Sequence, residues 1–222
     1  MSVHLYSALP ENRGLLGELL HSVSQPLTTL RCSLELSLDE AADQKQQTIK
    51  TAMEQTENVI AMIQLMREYL DAEQGEAQGP ATALMPVLTS VIDDLSTWAA
   101  LREVRIRLME TCGTELFLKT HWMRRALEHL LSTMIELQPA GSEIIVRMSE
   151  NLSQGLLRIE GERGLGMRSR SNRTRDTVGS TMRRVRLAIA ARVLESAGVA
   201  LAIDDGAPGV VLRIPRAGHI TV

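Results

Sequence analysis

Between Leu16 and Leu38 an apolar residue returns every four or three positions: Leu16, Leu20, Val23, Leu27, Leu30, Leu34 and Leu38. An α-helix places such positions on one face, and a strand does not. This rhythm predicts a long helix over residues 11–43. A second series keeps the same rhythm: Ile49, Met53, Thr56, Ile60, Ile63, Met66 or Arg67, and Leu70. It predicts a second helix, from about 41 or 44 to 73. The connection at 38–44 is short and polar, so the two helices run antiparallel. A two-helix hairpin buries too little apolar surface to stand alone. A second copy of itself completes a four-helix bundle about a two-fold axis. Residues 1–74 are therefore expected to be a dimerising helical hairpin, and the chain a homodimer.

A stretch with Gly75, Gly79 and Pro80 follows, poor in apolar residues, and residues 75–83 read as a linker. The remainder, 84–222, alternates single helices with pairs of strands. Leu84–Leu101, 121–137 and 180–197 have helical periodicity. Residues 104–110, 115–119, 143–148, 155–161, 199–204 and 209–215 read as strands, the last two around the turn "DDGAPG". The order α-β-β-α-β-β-α-β-β predicts a mixed sheet with helices on one face, an α+β fold. Aromatic residues make up only 2% of the chain, so its core must be aliphatic, which suits helices better than a β-sandwich.

Within the first helix the sequence "LLHSVSQPLTTL" places Pro26 five residues after His21. Proline in a helix interior costs roughly 3 kcal/mol, leaves the carbonyl one turn back (that of Ser22) without its donor, and bends the helix. At about 100° per residue, the leucine stripe lies at roughly 180–260° from His21, so the imidazole is expected to be exposed. Most exposed helix histidines are merely solvated. This one has small polar neighbours, Ser22, Ser24, Gln25, Thr28 and Thr29, which leave it open to a large partner. A neutral imidazole is a good nucleophile towards a phosphoryl group.

"HSVSQPLTTLRCSLEL" resembles the phosphoacceptor box of sensor histidine kinases, H-E-x-x-[TN]-P-L, and its Q-P-L variant. His21, Gln25, Pro26 and Leu27 match at the same spacing. The resemblance implies a dimerisation and histidine phosphotransfer hairpin followed by an α/β sandwich of the histidine-kinase ATPase type. That is the organisation expected from periodicity, and the resemblance covers nearly the whole chain.

The nucleotide boxes that the resemblance implies are altered. The family's N-L-L-x-N-A helix corresponds to "HLLSTMIEL", with His129 at the first asparagine and Thr133 at the Mg²⁺-holding one. Its D-x-G-x-G turn corresponds to "ERGLGM", with Glu162, Gly164 and Gly166. Its G-x-G-L-G-L segment corresponds to "MRRVRL", with Met182, Arg184 and Arg186 in place of glycines that bring backbone N–H groups to the phosphates. The acidic residue that follows the family's histidine, and acts as its base, is Ser22 here, whose hydroxyl has no basicity at neutral pH. No bound cofactor and no metal site are expected, with ATP and Mg²⁺ binding doubtful. If any residues contact a nucleotide, they are Thr133, Glu162, Gly164 and Gly166.

The net charge of −3 argues against a general nucleic-acid binder, although the Arg/Ser-rich loop at 163–186 is locally basic. Cys32 and Cys112 show neither metal-ligand nor C-x-x-C spacing. The sequence has no apolar run long enough to span a membrane and no secretory signal pattern, which makes a cytoplasmic location the expectation. Three functional readings stand. In the first, the protein is a histidine phosphotransferase in which His21, with Ser22, Gln25 and Pro26 shaping its site, carries phosphate between response-regulator receiver domains, with an upstream histidine kinase as a further partner. In the second it is a divergent but active kinase. In the third it is a non-catalytic dimeric scaffold that binds a receiver or a kinase.

Overall fold

The computed structural model describes residues 4–5, 12–37, 42–74, 82–110, 117–118, 123–150, 154–163, 177–204 and 209–215. Residues 75–81 of the linker, the greater part of the Arg/Ser-rich loop, Gly164, Gly166, Cys112, His121 and Trp122 lie outside the described residues, while Thr82 and Ala83, expected to be linker, form a short strand. The elements run β1 (His4–Leu5), α1 (Asn12–Ser37), α2 (Ala42–Gln74), β2 (Thr82–Ala83), α3 (Leu84–Leu101), β3 (Arg105–Glu110), β4 (Phe117–Leu118), α4 (Met123–Leu137), β5 (Glu143–Glu150), β6 (Gln154–Glu160), α5 (Thr177–Ser196), β7 (Ala200–Asp204) and β8 (Gly209–Pro215). The helices and strands expected from periodicity are all present, and the fold class is α+β. Two short strands add to them. β1 brings His4 into register with Ile203. β2 pairs with β4 in a separate two-stranded sheet.

The chain divides into two compact units. One comprises Ala8–Asp71 with Asn172–Val185; the other comprises Met1–Ser7, Ala72–Ser171 and Arg186–Val222.

In the helical unit α1 carries Pro26 in its interior and α2 runs for 33 residues. The periodicity of α2 has a second face that the leucine-type stripe conceals. The residues of α2 that the chain itself buries are Ala52, Val59, Met62, Leu65, Tyr69 and Ala72. Ile49, Met53, Ile60, Ile63 and Leu70 of the expected stripe are instead 41–60% exposed, as are Leu20, Leu27 and Leu34 of α1 at 47–58%. The apolar stripe of each helix is thus not the surface that the single chain buries. α2 therefore carries two apolar faces: Ala52, Val59, Met62, Leu65 and Tyr69 are buried within the chain, and the stripe of Ile49, Met53, Ile60, Ile63 and Leu70 stays outside.

In the other unit the main sheet has the order β1-β7-β8-β6-β5-β3, antiparallel throughout except for the parallel pair β3/β5. Alternation decides its two faces. Ile144, Val146 and Met148 of β5, Leu157 and Ile159 of β6, and Val210, Leu212 and Ile214 of β8 are all buried. The residues between them on β5 and β6 are half-buried or exposed. Leu84, Leu88 and Val91 of α3, Leu127, Leu130, Leu131 and Met134 of α4, and Ile189, Val193 and Leu194 of α5 are buried too. Each such side chain removed from water contributes about 1.5–3 kcal/mol, which is how a core without aromatics suffices.

Candidate functional site

His21 lies in the middle of α1 and is exposed, as its angle to the leucine stripe predicts. It borders an open groove of about 530 Å³ lined by Ser24, Gln25, Pro26, Thr28 and Thr29 of α1 and by Gln55 of α2. Pro26 is buried, whereas His21, Ser24, Gln25, Thr28 and Thr29 are exposed. The proline thus forms the floor of the groove and the imidazole part of its rim. Gln25 and Gln55 stand about equally far from the α1–α2 turn, roughly 18–20 Å of helix in each case. That is the register an antiparallel hairpin requires.

The backbone of this stretch is bound in an unusual way. Pro26 has no N–H, so the carbonyl of Ser22 lacks its ordinary helix donor. Around it three hydroxyls turn inward. Ser24 Oγ donates to the Leu20 carbonyl at 2.9 Å, Thr28 Oγ1 to that of Ser24 at 2.9 Å, and Thr29 Oγ1 to that of Gln25 at 3.1 Å. Such bonds to the preceding turn bend a helix, and together with the proline they concentrate bending beside the histidine. They also engage the hydroxyls within the helix, so the groove has low walls and no side chain among the described residues takes up the imidazole. Ser22 is in α1; its backbone is in place, and it supplies no carboxylate.

Of the groove's residues, Gln55 was not evident from the motif on α1. Its signal is the hairpin register, since counting equal lengths of helix from the turn leads to it.

The residues matched to a nucleotide site lie in the sheet-bearing unit, apart from Met182 and Arg184. Thr133 is buried in α4, and its Oγ1 has no hydrogen-bond partner. His129 is buried as well. Glu162 is exposed, two residues beyond the end of β6. The turn that holds it is clasped by Gln138, which the sequence did not single out. The Gln138 amide donates to the Arg163 carbonyl at 2.8 Å and accepts from the Arg163 N–H at 3.0 Å, while also donating to the Met134 carbonyl at 3.2 Å. A Cβ on Gly161 would stand 2.7 Å from that amide, so any side chain there would push the amide aside.

Met182, Arg184 and Arg186 lie inside α5, the first of them six residues into the helix. Past the first four residues, helix N–H groups are bonded to the preceding turn and cannot face a phosphate. Arg186 turns its guanidinium to Glu136 of α4, each side chain only 20% exposed. Residues 182–186 therefore offer no free backbone N–H to a phosphate. Among the described residues, the buried Thr133 hydroxyl is left without a hydrogen-bond partner. Among the described residues, no group of three or more His, Cys, Asp or Glu side chains is arranged for a metal ion, and no helix is long and apolar enough to cross a membrane.

No protein-family model and no curated relative matches the sequence. Solved structures do match in fold. The Acinetobacter baumannii histidine kinase AdeS superposes with a TM-score of 0.67 at 15% identity, over 89% of this chain and 98% of that one. The histidine kinase ThkA, solved in complex with the response regulator protein TrrA, gives 0.69 at 13% identity over 91% of this chain and 61% of its own. Full-length ShkA in complex with AMPPNP gives 0.56 at 12% identity over 90% of this chain and 46% of that one. At such identities the likeness is one of fold, and the fold of this chain is that of histidine kinases.

Proposed function

We propose that this protein is a histidine phosphotransferase of two-component signalling. His21 takes a phosphoryl group from the aspartyl phosphate of one response-regulator receiver domain and passes it to another. The observation that carries this reading is the exposed His21 imidazole at the rim of a shallow groove floored by Pro26. In the forward step the imidazole Nε2 lone pair attacks phosphorus. The bond to the aspartyl oxygen breaks, and its electron pair leaves on the carboxylate. Such a donor is already activated, so no base beside the histidine is needed, in keeping with Ser22 at that position.

The state of the second domain favours this over a working kinase. The amides of residues 182–186 are engaged in α5, and Arg186 holds Glu136. The fold resemblance to ThkA, whose solved complex contains a response regulator, supports a receiver as partner. The exposed apolar stripe of α1 and α2 supports a homodimer. Neither the fold nor the groove favours the scaffold reading over catalysis.

Incubation with a phosphorylated receiver domain tests the proposal. Acid-labile phosphate should appear on the wild-type protein and be absent from His21→Ala. A nucleotide titration with Mg²⁺ should show no tight binding and no labelling of His21. Equal labelling of wild type and His21→Ala removes the phosphotransferase reading, and labelling of His21 from ATP replaces it with the kinase.

A further inference from the structure

The outer face of the main sheet has a composition that folding does not require. Across β3, β5, β6 and β8 the residues pointing away from the buried core include Arg105, Arg107, Arg147, Arg158 and Arg213. The carboxylates on the same part of the face are Glu143 and Glu160. Five guanidinium groups against two carboxylates concentrate positive charge on a molecule whose net charge is −3. Arg147 and Arg158 sit directly opposite each other on adjacent antiparallel strands, and both reach towards the one Glu160, at 3.7 and 3.4 Å. Like charges opposed in this way destabilise a sheet, so packing does not account for them. Arg107 holds Glu143 at 2.6 Å yet stays 57% exposed.

We propose that this face is a docking surface for an acidic protein segment, separate from the His21 groove and independent of phosphotransfer. The arginines surround half-buried Ile145 and Leu156, so a partner gains an apolar centre ringed by carboxylate-binding forks. A groove of about 800 Å³ opens beside the patch past the edge strand β3, walled by Ile92, Ala99 and Val104 and bordered by Arg105 and Arg107 together with Glu103 and Glu143. Nucleic acid fits less well. From β3 to β8 the strip is about 14 Å wide at roughly 4.8 Å per strand, too broad for a major groove of about 12 Å. It carries no aromatic side chain on which unpaired bases would stack.

The probe is a short fluorescein-labelled peptide alternating glutamate and valine, titrated with the full-length protein and read by fluorescence anisotropy. The wild type should bind it, more weakly as salt rises. Arg147→Gln with Arg158→Gln should weaken binding about tenfold and leave the circular-dichroism signature of the fold unchanged, since the loss of the Glu160 pairs is offset by the loss of the opposed like charges. Arg31→Gln with Arg67→Gln, which removes as much charge from the helical unit, should leave binding unchanged. The proposal fails if the wild type does not bind, or if both double variants lose binding equally. It fails also if a labelled DNA duplex binds more tightly with the same loss in the sheet variant. A change of sedimentation from dimer to monomer in the sheet variant would overturn it in favour of a second copy on this face.

Discussion

A single amide fastens the turn that follows β6. Gln138 meets both backbone groups of Arg163 as a β-ladder neighbour would, and Gly161 leaves room for it. Gln138→Ala removes these bonds from a buried site and should cost about 1–3 kcal/mol of that unit's stability. Gly161→Ala should cost stability too, because the new methyl group displaces the amide from Arg163. In the Gln138→Ala background the same substitution has nothing to displace. A double-mutant cycle in urea should therefore show the two costs to be clearly less than additive. Neither residue belongs to a recognisable motif. The sequence presents Gly161 as one more glycine before a turn, and only the strand end beside the end of α4 gives it a reason.

Elements explain why some of the site was legible in the sequence and some was not. The exposure of His21 was legible because its position on one helix follows from a fixed rotation per residue, and the imidazole is exposed as expected. The inner face of α2 was not legible. Val59, Met62 and Leu65 are as apolar as Ile60 and Ile63 and keep the same helical spacing, so hydropathy alone does not choose which of the two faces the chain buries. Pro26 gives a test at this scale. Pro26→Ala restores a donor for the Ser22 carbonyl and removes a ring penalty of about 3 kcal/mol, against a smaller loss of buried ring contacts. It should raise the melting temperature and slow phosphoryl transfer to His21, as the helix straightens beside the groove. Arg186→Gly tests the other helix. It should lower stability by about 1–3 kcal/mol through the lost pair with Glu136 and the glycine itself. It should not restore nucleotide binding, because the amides of α5 stay engaged in their helix; a labelled nucleotide titration checks this.

For the whole molecule, the decisive quantity is the apolar surface that the helical unit leaves in water. Leu20, Leu27, Leu34, Ile49, Met53, Ile60, Ile63 and Leu70 each retain about half of their exposure. Covering what remains of one such side chain is worth about 1 kcal/mol. Eight on each of two copies supply roughly 16 kcal/mol, against an association cost of about 4–15 kcal/mol. The balance favours a stable pair but only if most of the stripe is covered, which a parallel or antiparallel copy of the same heptad rhythm does. Glutamate at Ile60 and Ile63 together should abolish the pair, since four buried carboxylates would meet near one axis. Both positions are half-exposed in the single chain, so the sheet-bearing unit should keep its circular-dichroism signature while sedimentation shows a monomer. The melting temperature of the wild-type helical unit should rise with protein concentration, and that of the variant should not.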